Sequence, residues 1–500
     1  MHHTQGDTQK RENTMQSNRR QFLAHAVSAA AALAAGPSAL AAASPAPRVT
    51  GRAAAERTRP LLLKGGTILS MDPQQPDLPQ GDILIRGSTI ARIAGHIEAG
   101  DAEVIDARGR IVIPGFVDTH RHAWEGQLRR INPNSADLGN YIAGTHQAFA
   151  PHYRPRDMYV GNLLTALGAI DAGITTLIDN SHNSRSLQHA LHAVDALHDA
   201  GIRAVHAPGA PLVGKWDSAS WYADLATLQL ERFSQGGGLL TLAMMTSVDR
   251  EQWAVGRRLG IPLVTEFFGQ DMSAQLPELH RAGLLGPDNI FNHCTDLSEE
   301  AWQILKATGV QVNVCPRSDT HWALGSGIFG YQAAIDHGMR PGFSVDNESA
   351  YGGDMFAEMR AALYLQRSSA LARKSASHAS APVDMRALLS AATIDGSAVA
   401  GLGRQTGSLR EGKQADIVLI NTNDINLYPS NNALGTVVGA AERSNVETVI
   451  IGGRIRKQHG KLLDLDMAAL HAATQESQAH LFKAAGFTPD AFARQFHVRG

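Results

Sequence analysis

His120 and His122 end the apolar run 111–119, and the residue types around them suit metal-assisted hydrolysis. On a strand, positions two apart project to one face, so both imidazoles reach toward the same point. Neutral imidazole is a common ligand for a zinc-type divalent ion. An isolated His-x-His pair carries little weight, but three further donors close apolar runs in the same way: Glu266 in 261–266, His293 in 289–293 and Asp346 in 342–346. Imidazoles and carboxylates at strand ends supply both the ligands for an ion and a base for the water it activates.

The elements that must position these residues can be counted. Strand-like runs lie at 112–117, 173–179, 202–206, 239–244, 261–266, 289–293, 310–315 and 342–346, most of them preceded by an amphipathic stretch such as 193–200 or 299–308. This alternation predicts an α/β fold, a TIM (β/α)8 barrel over 109–408, whose chemistry sits at the C-terminal strand ends where all five donors fall. Short strands and turns over 61–107 return at 415–453. They predict a small β-sandwich domain formed from both ends of the chain, 59–108 and 409–462, with a C-terminal helical extension at 463–500.

Composition bounds the partners. The 500 residues are 43% hydrophobic, carry a net charge of -2 and have a pI near 6.9. Such a chain buries a large core and offers no electrostatic reason to expect nucleic acid or an anionic membrane, so a small-molecule substrate is the expectation. No run of about 20 consecutive apolar residues offers a membrane span. Asn18-Arg19-Arg20-Gln21-Phe22-Leu23, the Ala-rich stretch 24–35 and Ala41-Ala42-Ala43 resemble a twin-arginine signal peptide over 1–43, which predicts a periplasmic or secreted protein. Cys294 and Cys315, in neighbouring apolar runs, read first as buried free thiols, with a disulfide between them as the alternative.

The motifs together resemble the amidohydrolase superfamily, in the branch of cytosine deaminase, adenosylhomocysteine deaminase and the triazine hydrolases, from about residue 60 to 460. Gly115-Phe116-Val117-Asp118-Thr119-His120-Arg121-His122 is similar to that family's first-strand metal motif. His293-Cys294-Thr295-Asp296-Leu297 resembles its sixth-strand motif, Pro316-Arg317-Ser318 its seventh-strand turn, and Val345-Asp346 with 353–360 its eighth-strand aspartate and following helix. Glu411-Gly412-Lys413-Gln414-Ala415-Asp416 resembles the return into the β domain. The resemblance implies that His120, His122 and Asp346 ligate the ion, that Asp346 also accepts a proton from water, and that His293 lies beside that water as a further metal or catalytic residue.

Two departures bear on the chemistry. Glu266 stands where a metal-binding histidine is usual, and Gly269 where deaminases carry a proton-shuttling glutamate; Asp296 also replaces a frequent histidine. Glu266 is read as a carboxylate ligand, with substrate recognition as the alternative. Asp271 or Glu348 is the available stand-in for the shuttle. With no carbamylatable lysine on the fourth strand, one divalent ion is expected, Zn²⁺ first and Fe²⁺ or Mn²⁺ next, since two carboxylates favour harder ions.

Loops after the strands offer Trp124, Gln127, His182, Arg317, His321 and Glu348 as substrate-binding residues, together with Asn183 and Asn347. Residues 141–153, with Tyr141, Phe149 and Tyr153, read as an aromatic lid or a core-covering helix. The expected activity is hydrolysis of a non-peptide C–N bond, in an amide, cyclic amide or carbamate. The alternatives are deamination of an amino-heterocycle and a barrel that binds without turnover. Barrels of the resembled family are often homo-oligomers.

Overall fold

The computed structural model describes residues 59–492, apart from 136, 235 and 374–380. The expected leader at 1–43 lies outside the described residues. Five strands open the described chain: Leu61–Ile68 (β1), Leu78–Arg86 (β2), Thr89–Ala94 (β3), Glu103–Asp106 (β4) and Arg110–Pro114 (β5). Next come Phe116–Arg121 (β6), Ile174–Ser181 (β7), Arg203–Pro208 (β8), Leu240–Leu242 (β9), Met244–Thr246 (β10), Leu263–Phe267 (β11), Asn289–His293 (β12), Gln311–Val314 (β13) and Gly342–Phe343 (β14). Four more close the series: Ile417–Asn421 (β15), Val446–Ile451 (β16), Arg454–Gln458 (β17) and Lys461–Leu462 (β18).

The two ends of the chain share one nine-stranded sheet in the order β18-β17-β16-β15-β5-β1-β2-β3, with β4 paired to β1. The join is the antiparallel pairing of β5 with β15, from Arg110 opposite Asn421 to Pro114 opposite Ile417. Alternating residues of these strands, among them Leu61, Leu63, Ile83, Ile85, Ile417 and Leu419, bury one common core.

The middle strands are parallel and form a four-stranded sheet, β6-β7-β8-β9, and a five-stranded one, β10-β11-β12-β13-β14. Residues 240–246 belong to both, split at Ala243, whose N–H donates to the His206 carbonyl. At the other margin the chain after β14 returns to β6: Asp346 N–H donates to the His120 carbonyl at 2.9 Å and His122 N–H to the Asp346 carbonyl at 2.7 Å. Strands covered on both faces carry unbroken burial, as in β7, where all 8 residues are buried. Between them run helices such as Leu187–Ala200, ended by Gly201 in the left-handed region at φ 69°, and Glu299–Thr308, started by the Ser298 side chain.

Residues 138–152 form no single helix. Three short turns, Leu138–Tyr141, Ile142–Gln147 and Ala150–His152, carry Tyr141, Phe149 and Tyr153 inward to buried positions. The C-terminal helix Met467–Ala484 packs Leu481 and Phe482 against Trp124, Phe149 and Tyr153. Cys294 and Cys315 are both free and buried, so the thiol reading holds. No helix among the described residues is long and apolar enough to cross a membrane.

Candidate metal centre

Four strand ends bring the five donors of the sequence together. Nε2 of His120 and Nε2 of His122 each lie 3.1 Å from Oδ1 of Asp346. Oε1 of Glu266 lies 3.6 Å from the first imidazole and 3.9 Å from the second, and its Oε2 lies 3.0 Å from Nε2 of His293. His120, His122, His293 and Asp346 are buried, and although the Glu266 side chain keeps 27% of its exposure, both its oxygens are buried.

A shell of partners fixes the orientation of these groups. Nδ1 of His122 meets the Asn180 carbonyl at 2.9 Å, which leaves Nε2 for a ligand. The Asn180 side-chain amide abuts Nδ1 of His120. Asp319 holds Nδ1 of His293 at 2.7 Å, and the Ser318 hydroxyl donates to the second Asp346 oxygen. His293 and Asp346 both take positive φ, 69° and 71°, a strained choice for residues with side chains. Such strain concentrates where a site requires one exact direction of a group.

The donor set fits a divalent ion. One donor atom from each of His120, His122 and Glu266 lies within 4.8 Å of the others, and the buried Glu266 carboxylate faces the imidazole nitrogens of His120, His122 and His293. Burial disfavours a charged His122, but the Asp346 carboxylate, then Glu125 and Glu266, outweigh it and raise the imidazole to about 9. Burial likewise opposes ionisation of Glu266, yet His120 and His293 bring its carboxyl down to about 2. Ionised carboxylates facing imidazoles are the electrostatic counterpart of a bound cation.

The proposed substrate residues divide into two groups. His182 lies against the centre, its ring stacked on His122 with centroids 4.1 Å apart, and the Trp124 indole N–H donates to its Nδ1 at 3.2 Å. Gln127 is turned away, its amide donating to the Asp157 carbonyl and the Ser477 hydroxyl. Arg317 pairs with Glu358 at 2.7 Å, and Glu348 is enclosed by Arg121, Arg129 and Arg130. Their charged groups are thereby engaged in pairs within the protein. His321 packs edge-on against Trp322 and Tyr351. Asp271, on the short helix Gly269–Ser273, is exposed.

Sequence reasoning missed Asp319, Asn180 and Glu125. Asp319 had a signal, since it follows the Pro316-Arg317-Ser318 turn by one residue. Asn180 acts partly through its backbone carbonyl, which no residue type announces. Glu125 follows His122 by three residues, and its meaning depends on where the turn Ala123–Leu128 sends it.

The amidohydrolase family profile matches residues 261–456. It carries an amidohydrolase-family domain. The resemblance read from the motifs is thereby borne out over that stretch. Among its relatives are a 5-methylthioadenosine/S-adenosylhomocysteine deaminase of Desulforamulus reducens, 28% identical over 79% of this chain and 93% of that one. A 5'-deoxyadenosine deaminase of Methanobrevibacter smithii is 26% identical over 85% of this chain and 98% of that one. Similar folds include an adenosine deaminase from Xanthomonas campestris with bound zinc, at a TM-score of 0.74 and 22% identity, covering 85% of this chain and 98% of that one. A mutant atrazine chlorohydrolase from Arthrobacter aurescens, complexed with zinc and atraton, also gives a TM-score of 0.74, at 19% identity over 83% and 99% of the two chains.

Proposed function

We propose that this protein is a metal-dependent hydrolase of a non-peptide C–N bond in a small molecule. The observation that carries the reading is the convergence of His120, His122 and Glu266, with Asp346 3.1 Å from both imidazoles. A divalent ion, Zn²⁺ first, would supply Lewis acidity that lowers the pKa of water toward ~7. Asp346, already bonded by Ser318, is the base placed to take a proton from the attacking water. His293, oriented by Asp319, presents Nε2 toward the same space and steadies the developing charge. Glu266 would hold the cation in place of an imidazole and would make the set more nearly neutral.

Within that class, deamination of an amino-heterocycle has the support of the relatives, which are named as deaminases. Amide-type hydrolysis has the support of Gly269, where no side chain stands to shuttle a proton to leaving ammonia. The two are separated by assaying the zinc-loaded protein against aminopurines, aminopyrimidines and aminotriazines on one side and cyclic amides and carbamates on the other. Asp346→Asn should lower turnover by about 10²–10⁴-fold, the usual contribution of a positioned base. Undiminished turnover in that variant would refute the mechanism.

The same reading extends to architecture and place. The two parallel sheets, sharing the run 240–246 and linked through Asp346, would close a (β/α)8 barrel. The nine-stranded sheet would fold over its shared core as a β-sandwich. The twin-arginine pattern in 18–23 supports export, which N-terminal sequencing of protein recovered from the periplasm tests.

A further inference from the structure

Beside the centre lies a second group of donors. Glu125, on the turn Ala123–Leu128, His146, on the turn Ile142–Gln147, and His182, just after β7, are 3%, 1% and 4% exposed. One donor atom from each lies within 4.8 Å of the others. Oε1 of Glu125 accepts from the Tyr141 hydroxyl at 2.5 Å, whereas its Oε2 and Nε2 of His146 are buried with no partner. Two buried polar atoms left without a partner in one cluster are costly unless something satisfies both.

We propose that Glu125, His146 and His182 form a second divalent-metal site of the His₂Glu type. Two imidazoles and one carboxylate are a zinc-type set, and three protein ligands leave a fourth position open. Donor atoms under 5 Å apart leave room for an ion and not for a substrate group. The neighbouring centre permits a second cation because Glu266 and Asp346 together balance the first. His182 joins the two, since its ring stacks on His122. Ligation by His182 also has a structural consequence at Trp124. An ion at Nδ1 takes the lone pair that now accepts the indole N–H, and an ion at Nε2 forces the ring proton onto Nδ1. Either way Trp124 loses its acceptor.

The test is a zinc count on the full-length protein, loaded with excess Zn²⁺ and then desalted, together with the tryptophan indole N–H resonances during zinc titration. The wild type should hold two equivalents, and His146→Ala, Glu125→Gln and His120→Ala one each. In His120→Ala, zinc should move the Trp124 indole resonance, assigned by its absence in Trp124→Phe. One equivalent in the wild type, kept by His146→Ala and lost in His120→Ala, overturns the second site and leaves the first reading standing. A second equivalent that survives both His146→Ala and Glu125→Gln overturns it too, because the ion then sits elsewhere. No bound zinc in any variant overturns both sites. An unmoved Trp124 resonance in the wild type at two equivalents contradicts the proposal without relying on any variant that fails to fold.

Discussion

Metal ligation at His122, as proposed, would compete with a proton. In the metal-free protein Asp346 and the nearby carboxylates raise this imidazole from 6.5 to about 9, so the protonated ring and Asp346 stabilise each other. That contribution is complete below about 6.5 and disappears as pH rises through about 9. An ion takes the place of this proton, so zinc affinity should climb with pH between 7 and 9 by roughly tenfold per unit and then level off. Calorimetric titration in buffers of differing ionisation heat would show about one proton released at pH 7. Affinity independent of pH over that range would mean that His122 is not a ligand. The five donors were legible in the sequence because each closes an apolar run. The shell that aims them was less so, since Asn180 and Asp319 act through contacts that only the folded chain creates.

At the scale of elements, the turn Ala123–Leu128 is held by a close backbone approach to the helix Pro155–Asp171. A Cβ on Gly161 would stand 2.1 Å from the Trp124 carbonyl, and one on Gly126 would stand 2.3 Å from the Gly161 carbonyl. Neither atom can yield as a flexible side chain does. Gly161→Ala should therefore cost about 1–3 kcal/mol of stability by overpacking, read as a lower midpoint in denaturant. It should also disturb Trp124 and Glu125, which that turn carries. An unchanged midpoint would show that the contact is not a close one. Runs with sustained hydrophobicity or helical periodicity, such as β7 and Glu299–Thr308, were readable from pattern alone. The segment 138–152 was not, because its aromatic residues fit both a lid and a covering helix, and the C-terminal helix beneath decides where they point.

At the scale of the molecule, a buried ion pair ties the parallel sheets to the sheet made from the chain ends. Arg203 on β8 meets Asp416 through two bonds of 2.7 and 2.9 Å, and Asp416 also accepts from the Gly452 N–H. Both residues are 3% exposed. Arg203→Met should leave the carboxylate buried and unpaired, at about 3–5 kcal/mol. Thermal unfolding measures it, and a loss under about 1 kcal/mol would show that the pair is not holding the two parts together. The assembly of one sheet from both ends was legible in the returning strand texture, whereas this pair was not, because its partners lie more than 200 positions apart. The central claim is that His120, His122, Glu266 and Asp346 hold an ion. Anomalous diffraction at the zinc edge from crystals of the zinc-loaded protein tests it most directly. The account predicts a peak within about 2.0–2.2 Å of Nε2 of His120 and His122 and of carboxylate oxygens of Glu266 and Asp346. Well-ordered side chains at these positions with no peak between them would contradict it.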